Sequence, residues 1–173
     1  AFIINGRADA NAQAAWQALL SEIEAKNIPV LTLGAGDRIR FGENRVSVLS
    51  PDAGWIASGA MNDTGLVTMM STPRLRVLLS ADVSADVEEY LRKTYHLAAD
   101  VLKVGHHGSK YSSSLSFLKF VSPKAAIIEV GEKNRYGHPS PAALSRLKMI
   151  DINIFRTDLN GDIKIINDGF ITN

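Results

Sequence analysis

Two adjacent histidines, His106 and His107, follow an apolar segment and lie between Gly105 and Gly108. A strand that ends at a glycine places the next side chains on a loop at the sheet edge, where polar groups converge without disturbing a core. Imidazole is the commonest protein ligand of zinc-like metals, and it titrates near neutral pH. Two of the four histidines of the chain are adjacent here. The pair therefore predicts a metal site or an acid–base site.

Two further polar side chains follow predicted strands in the same way. Asp82 comes shortly after the apolar residues 77–79, and His138 lies beyond the strand predicted at residues 125–130. Because helices separate these strands, the loops that hold the two residues and the histidine pair are expected to meet at one edge of a sheet, where α/β enzymes bind ligands. One carboxylate and several imidazoles are suitable ligands for zinc, manganese or iron.

Each of these residues also has a purely structural interpretation. An aspartate after a strand commonly caps the next helix, so Asp82 is equally compatible with capping the helix predicted from residue 84. The Gly-His-Pro sequence at His138 is compatible with a tight turn. The glycines beside the histidine pair leave room for a ligand, which favours a functional interpretation there. His96, at a predicted helix end, is expected to be packed or solvated.

Composition limits the class of protein. A length of 173 residues predicts one domain over residues 1–173, with enough chain to bury a core. The net charge of +1 gives no global attraction to nucleic acid or membrane, although a local basic patch is compatible with it. The absence of cysteine excludes disulfides and thiolate metal sites. No apolar run approaches the ~20 residues that span a bilayer, and the sequence predicts no signal peptide.

The order of apolar and turn segments predicts a mixed α/β protein, built in layers, whose strands outnumber its helices. Strands are predicted at residues 1–4, 29–33, 38–41, 45–49, 66–70, 75–79, 100–104, 125–130 and 152–155, and a final hairpin around Asn160 and Gly161. Helices are predicted at residues 9–26, with Asp9 as a cap, and at residues 84–95, 114–121 and 140–149, and a loop at residues 50–59.

The histidine pair lies in Leu-Lys-Val-Gly-His-His-Gly-Ser (residues 102–109), and His138 lies in Asn-Arg-Tyr-Gly-His-Pro (residues 134–139). These segments closely resemble the metallo-β-lactamase-like domain of the ComEC/Rec2 family of competence proteins. The resemblance runs in consistent order from about residue 31 to the C terminus. Further matching segments are residues 36–42, residues 62–67 with Gly65 where serine is usual, residues 77–82 and residues 156–163.

This resemblance implies the C-terminal part of an αββα sandwich that holds divalent metal, zinc or manganese, with two ions in the intact domain. By the resemblance, Asp82 bridges the metals and one of His106 and His107 binds one of them. We favour His106 as the metal ligand, because it comes first after the strand, and His107 as a catalytic residue near the substrate. His138 is then a substrate contact or a proton donor to the leaving group.

Polar residues beside the histidines complete the predicted site. Ser109, Lys110 and Arg135 are expected to contact the phosphate of a substrate near this edge. The chemistry that this site implies is metal-dependent hydrolysis of a phosphodiester.

The chain departs from the family in one respect: the signature His-x-His-x-Asp-His motif is missing, and no histidine precedes His96. One explanation is that the chain is the C-terminal portion of a larger protein, which its mid-strand start at Phe2-Ile3-Ile4 favours. The other is that the site has been lost and the protein is a binding or scaffold module. If the chain is a fragment, it is expected to bind metal weakly or not at all and to be inactive alone.

The resemblance also implies a biological role. The parent protein is expected in the cell membrane, with this domain on the extracytoplasmic side degrading the DNA strand that is not transported. Its partners would be DNA and the transmembrane channel region of the same polypeptide. The chain itself is expected to be soluble and to form homodimers through exposed apolar faces. The alternatives are a stand-alone phosphodiesterase or hydrolase of this fold, and a degenerate module that binds DNA or a partner.

Overall fold

The computed structural model describes residues 1–7, 13–166 and 169–172. Within these residues, the strands are β1 (Phe2–Ile4), β2 (Val30–Thr32), β3 (Arg38–Phe41), β4 (Asn44–Ser50), β5 (Val67–Ser71), β6 (Arg76–Leu79), β7 (Val101–Lys103), β8 (Ala125–Ile128), β9 (Asn153–Arg156), β10 (Ile163–Ile166) and β11 (Gly169–Thr172). The helices are α1 (Gln13–Ala25), α2 (Ala53–Ser58), α3 (Ala85–Thr94), α4 (Leu115–Val121), α5 (Pro141–Lys148) and α6 (Thr157–Asn160).

A mixed seven-stranded sheet in the order β3-β4-β5-β6-β7-β8-β9 organises the molecule. Its first four strands are antiparallel, and β6 to β9 are parallel. Two small sheets accompany it, a parallel pair of β1 and β2 and an antiparallel pair of β10 and β11. Because β6, β7 and β8 run in one direction, the loops after them meet at the same edge of the sheet.

One face of the large sheet packs against helices. Leu78 and Leu102 are cross-strand partners on this face, and both are fully buried. They share a core cluster with Leu91 of α3, Phe117 of α4 and Leu147 of α5, all of which are buried. Burial of each such side chain contributes about 1.5–3 kcal/mol of hydrophobic stabilisation. This shared core fixes the ends of the parallel strands relative to the helices.

The opposite face of the sheet is less completely covered. Leu79, Lys103, Ile127 and Phe155 are cross-strand partners in one row on this face. Leu79 is 38% exposed, and Ile127 and Phe155 are half-buried. Lys103 is the one charged residue in this row, which runs along the ends of the strands next to the loops that hold Asp82 and the histidines.

Most predicted elements are confirmed to within a few residues, and two predictions are wrong. Residues 50–59 are not a loop, because α2 forms there with Asp52 as its N-cap, whose carboxylate accepts a hydrogen bond from Trp55 N at 3.0 Å. Residues around Asn160 and Gly161 form no hairpin: α6 ends at Asn160, and the final hairpin is that of β10 and β11. The predicted cap Asp9 lies outside the described residues.

None of the helices in the described ranges combines the length and the apolar character that a bilayer crossing requires.

Candidate active site at the carboxyl edge of the sheet

The loops after β6 and β7 are fixed to each other by hydrogen bonds. Ser80 is buried, and its hydroxyl donates to the carbonyl oxygen of Lys103 at 2.6 Å. Ala81 has a left-handed backbone with φ of 46°, and its carbonyl oxygen accepts a hydrogen bond from His106 N at 2.9 Å. These bonds hold Asp82 and the histidine pair beside one another.

The Asp82 carboxylate faces the histidine pair and does not cap a helix. Its Oδ2 lies 3.6 Å from Nε2 of His107, and its Oδ1 lies 3.9 Å from Nζ of Lys103. The N-cap of α3 is Ser84, and Ser84 N donates to Oδ1 of Asp63 at 2.7 Å. The capping interpretation of Asp82 is therefore wrong, because Ser84 holds the N-cap position and α3 has no side-chain capping hydrogen bond. The Asp82 side chain stays 38% exposed.

The second histidine of the pair, His107, is oriented toward Asp82. Its Nδ1 lies 2.7 Å from the carbonyl oxygen of Glu129. A carbonyl oxygen only accepts hydrogen bonds, so Nδ1 carries a proton, and Nε2 is the ring nitrogen that faces Asp82. A backbone carbonyl commonly orients metal-binding histidines in this way. Thus His107, which the sequence prediction placed near the substrate, is the imidazole beside the carboxylate.

The turn at the histidine pair has an unusual backbone. His106 and His107 have φ values of 48° and 53°, in the left-handed region that most side chains avoid. Gly108 follows with φ of 83°, and a Cβ there would lie 2.6 Å from Cβ of Pro139. Gly108 thus permits close packing against the His138 loop. The prediction that this glycine leaves room for a ligand is wrong.

His138 joins the cluster from the loop after β8. Its ring centroid lies 5.8 Å from that of His106 and 6.1 Å from that of Tyr136. Asn134 fixes the loop: its Nδ2 donates to the carbonyl oxygen of His138 at 2.8 Å, and its Oδ1 accepts from His138 N at 2.9 Å. Nδ1 of His138 is buried and has no hydrogen-bond partner among the described residues.

Burial lowers the pKa of His138, and the nearby His106 and His107 lower it further, whereas the Asp82 carboxylate acts in the opposite direction. The neutral imidazole is therefore the favoured form near pH 7. A neutral ring of this kind can donate a hydrogen bond through one nitrogen and accept one through the other.

The predicted phosphate contacts are less closely connected to the cluster. Ser109 is buried, and its hydroxyl oxygen accepts a hydrogen bond from Tyr111 N at 3.3 Å. The Lys110 ammonium lies 4.9 Å from the ring centroid of Tyr111, and Arg135 is exposed. His96 is exposed at the end of α3 and lies outside the cluster.

A fully buried glutamate and a half-buried arginine hold the segment that follows Ser109. Glu88 of α3 is fully buried, and its carboxylate accepts hydrogen bonds from Ser113 N and, at 2.8 Å, from Ser114 N. Arg146 of α5 donates to the carbonyl oxygens of Ser112 and Ser113, each at 2.7 Å, and thus holds the same segment from the other side. We call Glu88 and Arg146 the buried clamp.

Sequence reasoning missed two members of the site, Lys103 and Glu129. The Lys103 ammonium lies between two carboxylates, 3.9 Å from Asp82 Oδ1 and 3.8 Å from Glu129 Oε2. Only 14% of the Lys103 side chain is exposed. The signal was present in the sequence, because each residue is a charge at the end of an otherwise apolar strand.

The donors at this edge fit a divalent metal in part. Asp82 and His107 provide a carboxylate and an oriented imidazole, which are the ligand types that zinc and manganese accept. Within residues 1–7, 13–166 and 169–172, however, no three side chains of His, Cys, Asp or Glu are grouped so that they could hold a metal. The described residues therefore bring two potential metal ligands together at this edge, and not three.

The fold is shared with solved structures of low sequence identity. The chain matches a mutant of the β-hydroxylase CmlA with a TM-score of 0.51 and 10% identity, over 79% of this chain and 34% of that one. It matches a protein from Parabacteroides distasonis, described as a metal-dependent hydrolase, with a TM-score of 0.50 and 13% identity, over 79% and 62%. A more distant neighbour, from Thermotoga maritima, is described as a zinc-dependent hydrolase of the metallo-β-lactamase superfamily; its TM-score is 0.42 with 10% identity, over 74% and 72%. The first two matches show that the chain shares the α/β fold of those structures, which confirms the predicted mixed α/β class.

Sequence relatives narrow the class to a family. The chain is 35% identical to ComE operon protein 3 of Bacillus subtilis over 147 residues, which cover 84% of this chain and 19% of that protein. It is 40% identical to competence protein ComA of Neisseria gonorrhoeae over 51% of this chain and 13% of that protein. It is 28% identical to recombination protein 2 of Haemophilus influenzae over 81% of this chain and 19% of that protein.

These matches identify the chain as a partial region of the ComEC/Rec2 family of competence proteins, as its sequence predicted. It spans at most about a fifth of the length of these relatives. No family model matches the chain.

Proposed function

We propose that this chain forms part of the hydrolase domain of a DNA-uptake protein, and that the reaction is metal-dependent cleavage of a phosphodiester. One observation supports this most: Asp82, His106, His107 and His138 come from three different loops and meet at one edge of the sheet. In α/β proteins this edge is where ligands bind. The family to which the chain belongs supplies the context of DNA uptake.

Within this proposal, Asp82 and His107 bind the metal. The Glu129 carbonyl keeps the proton of His107 on Nδ1, so that Nε2 faces the carboxylate. Lewis-acid activation of the attacking water and of the phosphate is the chemistry that a divalent metal supplies when bound there. His138 contributes a neutral imidazole that contacts the substrate. His106 packs beside His138 and positions it.

Ser109, Lys110 and Arg135 remain proposed contacts of the substrate phosphate. Lys110 and Arg135 are exposed and carry the charge that a phosphodiester attracts. Because the Ser109 hydroxyl accepts from Tyr111 N, it retains its own proton for donation to a phosphate oxygen.

Metal titration by calorimetry tests the proposed site. Manganese or zinc is expected to bind the wild-type chain weakly, and both Asp82→Asn and His107→Ala are expected to abolish that binding. His96→Ala is the matched control, because it removes an exposed histidine outside the cluster. Equal binding by Asp82→Asn and wild type would remove Asp82 from the site. Loss of binding in His106→Ala with retention in His107→Ala would restore the ligand order expected from the sequence.

A second function is favoured by a specific observation. Lys103 places a cation between Asp82 and Glu129, and no group of three metal ligands occurs among the residues described. A protein with this arrangement is compatible with a module that binds DNA or a partner without cleaving it. The coding sequence that flanks this chain tests the choice: a His-x-His-x-Asp-His segment there supports the hydrolase, and its absence supports the binding module.

The family also leads us to propose a location and partners. The parent protein lies in the cell membrane with this domain on the extracytoplasmic side, and the domain acts on the DNA strand that is not transported, beside the channel region of the same polypeptide. The side of the membrane can be tested by replacing the exposed Lys133 with cysteine and treating intact cells with a thiol reagent that does not cross the membrane. Labelling of the cysteine would support the extracytoplasmic location. The incompletely covered sheet face leads us to propose homodimers of the isolated chain, which light scattering after gel filtration tests.

A further inference from the structure

We infer that the end of the sheet opposite the candidate site carries a second contact surface for nucleic acid, built from a row of arginines. Arg40, Arg45 and Arg76 come from β3, β4 and β6. Arg40 pairs with Arg45, Arg45 pairs with Ser71, and Ser71 pairs with Arg76 across adjacent strands. Directly paired residues point to the same face of a sheet. These three arginines, which we call the arginine row, thus form one line with Ser71.

Further positive charge surrounds the arginine row. Arg38 lies on β3 two residues before Arg40 and therefore on the same face, and Arg74 is exposed in the turn between β5 and β6. By contrast, the chain as a whole has a net charge of only +1. The charge is thus concentrated at the end of the sheet where β6 begins, away from Asp82, which follows the end of β6.

The arginine row has few internal partners. In the described part of the chain, no carboxylate forms an ion pair with Arg38, Arg40, Arg45 or Arg74, all of which are exposed. Arg76 is half-buried and has partners of its own: its backbone N–H donates to the Asp100 carboxylate at 2.9 Å, and its guanidinium donates to the carbonyl oxygen of His96 at 3.5 Å. Like charges directly opposite each other destabilise a sheet, so the pair of Arg40 and Arg45 lowers stability unless an anion lies between them.

Protection of the sheet edge explains only part of this pattern. β3 is the outer strand of the large sheet, and charged side chains on outer strands prevent pairing with other chains. That role covers Arg38 and Arg40. It does not cover Arg45 or Arg76, because β4 and β6 are interior strands.

The shape of the surface beside the arginine row favours binding of the flexible phosphate backbone of a nucleic acid over binding of a flat membrane. A cleft of about 380 Å³ lies between the β3–β4 turn and the β5–β6 turn, lined by Arg40, Arg45, Ser71 and polar neighbours that include one carboxylate, Glu43. Arginine binds phosphate with two parallel hydrogen bonds, which suits discrete phosphates that enter a cleft.

This inference takes from the proposed function only the identity of the polymer, which is DNA. It does not require that the chain hydrolyses DNA. The test measures the affinity of the full chain for a fluorescent single-stranded oligonucleotide at several salt concentrations. Arg40→Gln/Arg45→Gln is expected to weaken binding at least tenfold at low salt and to reduce the slope of log affinity against log salt by about 1.4, or about 0.7 for each phosphate that the variant no longer neutralises. Lys119→Gln/Lys148→Gln, which removes the same charge from exposed positions on α4 and α5, is the matched control and is expected to bind like wild type.

Further arms separate the inference from its alternatives. Metal titration of Asp82→Asn tests the hydrolase proposal separately: metal binding equal to that of wild type would overturn that proposal and would leave the arginine row unaffected. Equal weakening in the arginine and lysine variants would overturn the arginine row as a specific surface. The inference would also be overturned if the arginine variant bound the oligonucleotide like wild type but bound phosphatidylserine vesicles more weakly, because that result would indicate a membrane-binding surface. The arginine variant should melt at or above the wild-type temperature, because it removes a like-charge pair; Arg40→Lys/Arg45→Lys should retain most of the salt dependence.

Discussion

Two carboxylates in this domain, Glu88 and Asp82, lie in opposite kinds of surroundings. Glu88 is fully buried and accepts two backbone hydrogen bonds, and the buried clamp that it forms with Arg146 fixes the segment after Ser109. Asp82 is 38% exposed, and the His107 ring nitrogen and the Lys103 ammonium lie 3.6 and 3.9 Å from its carboxylate oxygens. The comparison shows that the Glu88 carboxylate stabilises the fold, whereas the Asp82 carboxylate has oxygen atoms available to bind a ligand.

The sharpest test of this contrast removes the buried carboxylate. Glu88→Ala is expected to lower the free energy of unfolding by about 3 kcal/mol, because the N–H groups of Ser113 and Ser114 lose their acceptor in a buried place. Urea denaturation measures the loss. Glu89→Ala is the control, because Glu89 forms ion pairs with half-buried Arg92 and exposed Lys93 on the surface of the same helix, and the denaturation midpoint of this variant should stay close to that of wild type. Equal losses in the two variants would contradict the contrast.

The other half of the buried clamp should show a smaller effect. Arg146→Met keeps much of the length of the side chain but removes its donors to the carbonyl oxygens of Ser112 and Ser113, which should cost about 1.5 kcal/mol. Faster hydrogen exchange in residues 109–114 would show that the segment is loosened. Lys148→Met, an exposed change on the same helix, should leave exchange there unaltered.

The pH dependence of stability distinguishes the two carboxylates further. Burial raises the pKa of Glu88, although its hydrogen bonds with Ser114 and Ser113 and the charge of Arg146 oppose this. A carboxyl whose pKa is higher in the folded state contributes stability below its unfolded pKa and loses that contribution as pH rises through the folded pKa. The stability difference between wild type and Glu88→Gln should therefore shrink as pH rises from about 4. A difference that grows with pH would contradict the raised pKa.

The smallest effect on stability is expected at the candidate site. Asp82→Asn should change the free energy of unfolding by less than about 1 kcal/mol, because its partners are distant and its side chain is partly solvated. Thermal unfolding followed by circular dichroism measures this. If Asp82→Asn were as damaging as Glu88→Ala, Asp82 would be a structural residue and the proposed site would lose its main ligand.

Much of the fold follows from local sequence patterns, whereas details of the site depend on contacts between loops. Alternating and continuous apolar runs located the strands of the large sheet, and helical spacing located α3, α4 and α5. The six-residue α2 was missed, because its cap at Asp52 stood in a segment rich in turn residues. The gathering of Asp82, His107 and His138 was predictable, because loops after parallel strands share one edge.

The orientation of two adjacent histidines was not predictable from their order. The left-handed backbone at His106 and His107 sets which ring faces Asp82, and the Glu129 carbonyl then fixes that ring. Both features arise from packing between separate loops. The burial of Glu88 was hidden for the same reason, since its partners lie 25 and 26 residues later in the chain.

The backbone of the histidine turn has an evolutionary consequence. Two consecutive side chains in the left-handed region each carry a conformational penalty of about 1 kcal/mol, which glycine would avoid. Selection for thermal stability alone would therefore replace these histidines. Their presence indicates that another property of the protein has been selected at these positions. In a library sorted only for heat tolerance, glycine or asparagine should accumulate at both positions, whereas a library sorted for activity should retain imidazoles. Selection for heat tolerance and selection for activity would therefore favour different residues at the same two positions of this turn.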